Sequence, residues 1–234
     1  MASSGCFRVK KTLQKNDNDL AEVVILLVTA FLWNALVYLG SRLIAGQWHH
    51  YDMTTRVDRL IPFLPWTVLV YFGCYVLWVA NFCLCATRGR EERYRFFCAD
   101  AMAKAVCLLV FLLLPTTNVR PEIVGETGGD VLMRLLYRVD AADNLFPSIH
   151  CLISWLCWLG VKGKRDIPAL YRCFSLAAAV AVCISTLTTR QHVIVDVVGG
   201  VMLAEVCYWL SGKEAIRRLY LSIILRLKRL IVRQ

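Results

Sequence analysis

The sequence predicts an all-α membrane protein built as a six-transmembrane-helix bundle. Hydrophobic residues make up 58% of the chain and its mean hydropathy is +0.55, whereas soluble domains are about 45–50% apolar. The apolar residues are concentrated in six runs that are separated by polar segments. A chain of 234 residues provides several spans of roughly 20 residues each and little else. We therefore expect one membrane domain.

The six runs define the predicted spans, several of which are short. They are Leu20–Leu39, Trp66–Cys85, Ala101–Pro115, Pro147–Val161, Leu170–Leu187 and Val193–Leu210. We expect the short runs to extend into flanking polar residues at the membrane faces. The chain then divides into a basic N-terminal segment (1–19), a membrane domain (20–211) and a basic tail (212–234). Basic and apolar residues alternate at helical spacing in the tail, which predicts an amphipathic helix on the inner leaflet.

Basic residues predict the orientation of the bundle. Most of them lie in the N-terminal segment, the second and fourth connections between spans, and the tail. The positive-inside rule places these segments, and with them both termini, in the cytoplasm. We expect an integral multi-pass protein of a bacterial plasma membrane, whose other connections are extracytoplasmic. The net charge of +10 does not indicate a nucleic-acid partner, because the basic residues lie between apolar runs and not on one aromatic-rich face.

Cysteine usage does not indicate a disulfide scaffold. The count of eleven is odd, and most of these cysteines lie inside apolar runs. Buried cysteine behaves as a small hydrophobic residue, and a disulfide framework calls for pairs in loops.

Alternating topology gathers the polar residues of distant segments at the extracytoplasmic face. In "RQHVIVD", His192 and Asp196 are four residues apart, so on a helix they share a face. An aspartate there can hold an imidazole in one tautomer and stabilise its charge. A structural ion pair that caps a span is the alternative interpretation of this spacing.

The start of the fourth span adds a second histidine and an anion site. Pro147 suits the first turn of a helix, where Ser148 and free backbone N–H groups face an end of partial positive charge that binds anions. His150 lies in the same turn. Arg120 and Arg190 supply planar, permanently charged donors suited to phosphate. Asp140, Asp143 and Asn144 are expected to cap the fourth helix or to shape the rim of the site.

These residues favour a phosphate site over a metal site. Neutral histidine is a common metal ligand, but the two histidines come with one carboxylate and two guanidinium groups. We therefore expect no metal and no cofactor.

Three short motifs resemble those of the type-2 phosphatidic acid phosphatase superfamily, commonly written KxxxxxxRP, PSGH and SRxxxxxHxxxD. They are "RP" at 120–121, "PSIH" at 147–150 and "RQHVIVD" at 190–196, within the range Thr116–Glu205. The form "FPSIH" is most similar to the branch that includes inositol phosphorylceramide synthases. This resemblance implies a membrane-embedded helical bundle that acts on lipid phosphates.

The chain departs from the family pattern at three places. Leu113 occupies the position of the first-motif lysine, and Lys104 lies too far back to replace it, so we expect Lys104 to snorkel to the inner interface. Ile149 replaces glycine. Arg190 precedes His192 by two residues instead of six, which puts Thr186 at the position of the family arginine.

The resemblance implies a mechanism for a lipid phosphate or isoprenoid diphosphate substrate. His192, oriented by Asp196, would attack phosphorus and form a phosphohistidine, and His150 would protonate the leaving alcohol. Arg120, Ser148 and Arg190 would bind the phosphoryl oxygens, without a metal ion.

Two alternatives remain open at this point. In a phosphotransferase similar to inositol phosphorylceramide or sphingomyelin synthases, a lipid alcohol would accept the phospho-headgroup through the same residues. In a non-catalytic lipid transporter only the bundle would be retained, and intramembrane Glu205 would be its polar feature. Head group and oligomeric state are not indicated by the residues.

Overall fold

The computed structural model describes residues 20–232 and shows a mostly helical bundle. Its helices are α1 (Leu20–Ala45), α2 (Arg56–Leu60), α3 (Val68–Ala86, after a 3-10 turn at Pro65–Thr67), α4 (Arg90–Leu113), α5 (Gly128–Val139), α6 (Ile149–Val161), α7 (Ala169–Thr188), α8 (Ile194–Ser211) and α9 (Glu214–Val232). Strands β1 (Tyr51–Asp52) and β2 (Thr116–Thr117) pair in parallel. The predicted N-terminal segment, 1–19, lies outside the described residues.

Five of the described helices, namely α1, α3 with its 3-10 turn, α4, α7 and α8, are long and apolar enough to cross a membrane. The predicted span Pro147–Val161 forms α6, a helix of 13 residues. At about 1.5 Å per residue it is roughly 20 Å long, shorter than a hydrocarbon core of about 30 Å. Most of its residues are buried, and it packs against α3, α7 and α8. The fourth apolar run is therefore an internal helix of the bundle, and the count of six spans stays a prediction.

Helix α4 begins well before the predicted start of the third span at Ala101. Its first turns carry Arg90, Glu91 and Glu92, and acidic residues in a first turn stabilise a helix N-terminus. A criterion based on apolar runs misses such a start. Lys104 was expected at the inner interface, but its side chain is buried and its Nζ donates to Asp100 at 2.9 Å. That expectation is wrong because an acidic partner one turn away compensates the buried charge.

The tail forms a helix, as predicted, and part of it is packed into the bundle. Helix α9 contacts α4 and α8, and Ile224 is buried in the main hydrophobic cluster. Arg217 donates to Glu91 of α4 at 2.7 Å. Its position on the inner leaflet stays a prediction, as does the cytoplasmic location of the termini.

Helix direction alternates, so six helix ends meet at one end of the bundle, which we call the site end. These are the C-terminal ends of α1, α4 and α7 and the N-terminal ends of α3, α6 and α8. The β1–β2 pair joins the connections that follow α1 and α4. All three motifs lie in segments that reach the site end.

Helices α6 and α8 approach each other closely at this end. The Ser148 N–H donates to the Asp196 carbonyl at 3.0 Å. At Gly200 an added Cβ would lie 2.5 Å from the Ser148 carbonyl oxygen, which is closer than side-chain atoms pack. Glycine at 200 is therefore required for the approach of the two helix starts.

We predict that Gly200→Ala lowers the melting temperature of the detergent-solubilised protein, because α6 must shift away from α8. Overpacking of this kind costs about 1–3 kcal/mol. Gly73→Ala in α3 is the matched control, since nothing lies within 4 Å of a Cβ added there. It should leave the melting temperature unchanged or raise it. An equal loss in both variants would contradict close packing at Gly200.

Candidate active site

His192, in the turn between α7 and α8, forms a buried pair with Asp196, in the first turn of α8. The Nδ1 atom of His192 lies 3.3 Å from Asp196 Oδ2, which also accepts the Val193 N–H at 3.0 Å. Burial acts to lower the pKa of His192, but the hydrogen bond and charge of Asp196 outweigh it, so the pKa lies above its usual value of 6.5. With Nδ1 held by Asp196, Nε2 is the ring nitrogen left for chemistry.

His150 lies beside this pair, in the first turn of α6. Its ring centroid is 6.0 Å from that of His192. Its Nδ1 lies 3.2 Å from the Tyr71 hydroxyl, and its Nε2 lies 3.5 Å from the Tyr75 hydroxyl. The structure thus brings together the three residues predicted to carry the chemistry.

A cavity of about 280 Å³ opens beside the two histidines. It is lined by Asn34, Tyr38, Phe72, Tyr75, Trp78, Leu136, Val139, Asp140, Asp143, Asn144, Leu145, Ile149, His150, Gln191 and His192. Side chains of α1 and α3 form an aromatic wall, and the segment 140–145 forms a polar wall. The cavity therefore offers an apolar and a hydrogen-bonding side to one ligand.

Arg120 is held at the site end by the residues that line this cavity. Its guanidinium donates to the Asp140 carbonyl at 2.6 Å and to the Gln191 Oε1 atom, and it lies over the Tyr137 ring at 4.6 Å. The side-chain amide of Gln191 is thereby oriented with its oxygen toward Arg120. Within the described part of the chain, Gln191 Nε2 is buried and has no hydrogen-bond partner.

The other two predicted phosphate-binding residues are engaged elsewhere. Ser148 is fully buried, and its Oγ accepts the Cys151 N–H at 3.3 Å as the N-cap of α6. Arg190 has a φ of +55°, and its guanidinium donates to the Asp58 carbonyl at 2.5 Å and the Ile61 carbonyl at 2.5 Å. The structure does not bring the Arg190 guanidinium to the two histidines. Its phosphate-binding role stays a prediction.

Asp58, which was not singled out in the sequence, anchors the His192 turn from another element. One carboxylate oxygen completes a capping box with Thr55, and the other accepts the Ile194 N–H at 2.7 Å. Burial acts to raise the pKa of Asp58, but the hydrogen bonds from Thr55 and Ile194 outweigh it and lower it. Only the spacing of Thr55 and Asp58, which is typical of a capping box, could have drawn attention to this segment.

Asp140 lines the cavity, whereas the α6 N-cap is Ser148. Its carboxylate accepts hydrogen bonds from the Tyr38 hydroxyl and, at 2.5 Å, from the Tyr71 hydroxyl. Burial acts to raise the pKa of Asp140, but the charge of His150 and the two tyrosine hydrogen bonds outweigh it and lower it. Asp140 is thus a half-buried carboxylate that stays ionised. The sequence indicated a cap of the fourth helix or a rim position for it, and its contacts with Tyr38 and Tyr71 have no signal in the sequence.

The described residues contain no group of three or more His, Cys, Asp or Glu side chains that could hold a metal ion. The expectation that the site works without a metal stays a prediction.

We predict that Asp58→Ala lowers the rate of phosphate release from a lipid phosphate, because the Ile194 N–H in the His192 turn loses its buried acceptor. Loss of a capping side chain costs about 1 kcal/mol. Asp130→Ala is the matched control, because Asp130 completes the same type of capping box in α5. Both variants should lose comparable stability in a thermal melt, and only Asp58→Ala should lose activity. Equal activities would contradict the anchoring role.

Comparison with protein families matches residues 47–210 to the PAP2 superfamily, and comparison with curated proteins gives no match. The matched range holds all three motifs and covers more than half of the chain. The family predicted from the motifs is therefore confirmed, and the long apolar helices are consistent with an integral membrane protein. This chain belongs to the PAP2 superfamily.

Proposed function

We propose that the protein is a membrane-embedded phosphatase that hydrolyses a lipid phosphate or an isoprenoid diphosphate through a phosphohistidine. The observation that carries this proposal is the buried His192–Asp196 pair with His150 beside it, at a ring distance of 6.0 Å. Membership of the PAP2 superfamily supports phosphatase-type chemistry on lipid phosphates. We place the site end on the extracytoplasmic side, from the distribution of basic residues.

The first step is attack of His192 Nε2 on phosphorus. A P–N bond forms, and the P–O bond to the leaving group, which is the lipid alcohol or the isoprenoid monophosphate, breaks. The electron pair of that bond stays on the leaving oxygen, which takes the Nε2 proton of a doubly protonated His150 ring and leaves that ring neutral. Asp196 stabilises the positive charge that develops on the His192 ring.

The second step is hydrolysis of the phosphohistidine. A water oxygen attacks phosphorus while His150 Nε2 takes its proton, so the acid of the first step becomes the base of the second. The P–N bond breaks, its electron pair returns to His192, and inorganic phosphate leaves.

Charge on the phosphoryl oxygens needs hydrogen-bond donors that are already in place. Gln191 Nε2 is suited to this because it is buried, lines the cavity and has no partner within the described residues. Arg120 holds the Gln191 amide and adds positive charge nearby. Ser148 and the N-terminus of α6 add the helix dipole. Arg190 would bind phosphate only after its guanidinium released the carbonyls of Asp58 and Ile61.

A phosphotransferase is the second candidate, and one observation favours it. Three acceptor oxygens along the cavity have no hydrogen-bond partner within the described residues, namely Asn34 Oδ1, Asp143 Oδ1 and Asn144 Oδ1. Such acceptors suit the hydroxyl groups of an alcohol better than the oxygens of a phosphate. Product analysis with and without an alcohol acceptor separates the two candidates: inorganic phosphate indicates a phosphatase, and a new phosphodiester or phosphoester indicates a transferase.

We predict that His192→Ala abolishes product formation from every substrate in a panel of phosphatidate, lysophosphatidate, phosphatidylglycerol phosphate and undecaprenyl diphosphate. Removal of a nucleophile lowers kcat by at least about 10³-fold. The wild type should form an acid-labile phosphoenzyme from labelled substrate, and His192→Ala should not. His49→Ala is the control, because His49 is exposed. Full activity of His192→Ala would rule out the assignment, and no phosphoenzyme with any substrate would favour a transporter.

We predict a pH dependence set by His192, since only its neutral ring can attack phosphorus. Its raised pKa should place the acidic limb of the kcat/KM profile above pH 6.5, with activity lost as the pH falls through that limb. Asp196→Asn removes the carboxylate charge that raises the pKa, so the limb should move to lower pH while kcat falls. An unchanged limb in Asp196→Asn would contradict this origin of the pKa shift.

A further inference from the structure

A chain of hydrogen bonds joins His150, the second histidine, to the half-buried carboxylate of Asp140. His150 Nδ1 lies 3.2 Å from the Tyr71 hydroxyl, which lies 2.5 Å from Asp140 Oδ2. The Tyr71 ring also packs against the His150 ring, with centroids 4.4 Å apart. The contacts connect α3, α6 and the end of α5, so these hydrogen bonds form only when the three elements are packed together.

The available protons determine the direction of each hydrogen bond. An ionised carboxylate only accepts, so Asp140 receives the protons of both the Tyr38 and the Tyr71 hydroxyls. The single proton of Tyr71 is then used, and its oxygen can only accept from His150. The proton on the His150 ring must therefore lie on Nδ1.

We infer that Asp140, acting through the Tyr71 hydroxyl, is a positioning residue that holds the His150 proton on Nδ1 and leaves Nε2 for proton exchange with the substrate. This inference rests on the proposed function. Tyr75, whose hydroxyl lies 3.5 Å from Nε2, lines the cavity together with His150. Both proton transfers of the reaction then take place at the nitrogen on the cavity side.

The two histidines are thereby supported in related ways. Asp196 contacts the Nδ1 atom of His192 directly, whereas Asp140 acts on the Nδ1 atom of His150 through one hydroxyl group. A directly paired carboxylate raises the basicity of a nucleophile. A carboxylate one hydroxyl away fixes the tautomer and keeps the charge at a greater distance, which suits a group that must both donate and accept a proton.

Tyr38 provides a matched control for Tyr71. Both hydroxyls donate to the Asp140 carboxylate, but the His150 contact belongs to Tyr71. Tyr71→Phe and Tyr38→Phe each remove one hydroxyl from the same carboxylate. A role in the stability of the Asp140 site would affect both variants alike, and the tautomer role would affect only Tyr71→Phe.

The tautomer can be measured without turnover. In full-length protein labelled with ¹⁵N-histidine, the chemical shifts of the neutral ring distinguish a protonated from a bare nitrogen, and the spectrum of His150→Gln identifies the His150 signals. We predict the Nδ1–H form in the wild type and in Tyr38→Phe, and a shift toward Nε2–H in Tyr71→Phe. An Nε2–H form in the wild type, or the same result in both phenylalanine variants, would overturn the inference.

Kinetics provide a second test. A purely structural role of Tyr71 would not make the loss of kcat depend on the leaving group. General acid–base catalysis contributes about 10²–10⁴-fold, so we expect Tyr71→Phe to lower kcat by at least about tenfold, with little change in KM, on a lipid phosphate with an alkyl leaving group. The loss should be smaller on an aryl phosphate such as p-nitrophenyl phosphate, whose leaving group needs no proton.

Equal losses with both leaving groups would also overturn the inference. Any loss of kcat in Tyr38→Phe should be the same for the alkyl and the aryl leaving group, because the His150 contact belongs to Tyr71. A wild type without turnover on any substrate would count against the proposed function, and the tautomer measurement would still decide the role of Asp140.

Discussion

The contact between the N-termini of α6 and α8 is the constraint on which the rest of the site depends. The Ser148 N–H binds the Asp196 carbonyl at 3.0 Å, and Gly200 lies under the Ser148 carbonyl with no room for a Cβ. One histidine follows in the first turn of α6, and the other precedes α8. Because backbone groups of both helix starts are in direct contact, this contact helps to hold the two rings 6.0 Å apart.

Two buried carboxylates, Asp196 and Asp58, and one half-buried carboxylate, Asp140, position the residues around this contact. Each of them has several donors, as a buried charge requires: Asp196 binds His192 and the Val193 N–H, Asp58 binds Thr55 and the Ile194 N–H, and Asp140 binds two tyrosine hydroxyls. The donors come from different elements in the cases of Asp58 and Asp140. Asp58 therefore links the connection between α1 and α3 to the His192 turn. Asp140 links the end of α5 to the tyrosines of α1 and α3, and through Tyr71 to His150. The geometry of the site thus depends on elements that carry none of the family motifs.

Local signals explain which features could be predicted. The spacing of His192 and Asp196 indicated a shared face because a helix places residues four apart on one side, and the motif order indicated the family. The start of α4 has no apolar signal because its first turns are charged, and the burial of Lys104 depends on its ion pair with Asp100, which lies one turn earlier in the same helix. Neither the Asp58–Ile194 contact nor the Tyr71–Asp140 contact has a local signal. Their partners are separated by 136 and 69 residues, and only packing decides which distant side chains meet.

By itself, the sequence determined that the chain forms apolar helices whose direction alternates between two faces. It also determined that two histidines and an aspartate gather at one of these faces. Hydropathy and helical periodicity are properties of short segments, so they are readable without a fold. The tertiary structure decided that α6 is a short internal helix, that the Arg190 guanidinium binds loop carbonyls, and that Gln191 and Asp140 face the cavity. The contacts of Arg190 and Asp140 reflect the tendency of buried polar groups to find partners, and those partners depend on the three-dimensional arrangement of segments far apart in the chain.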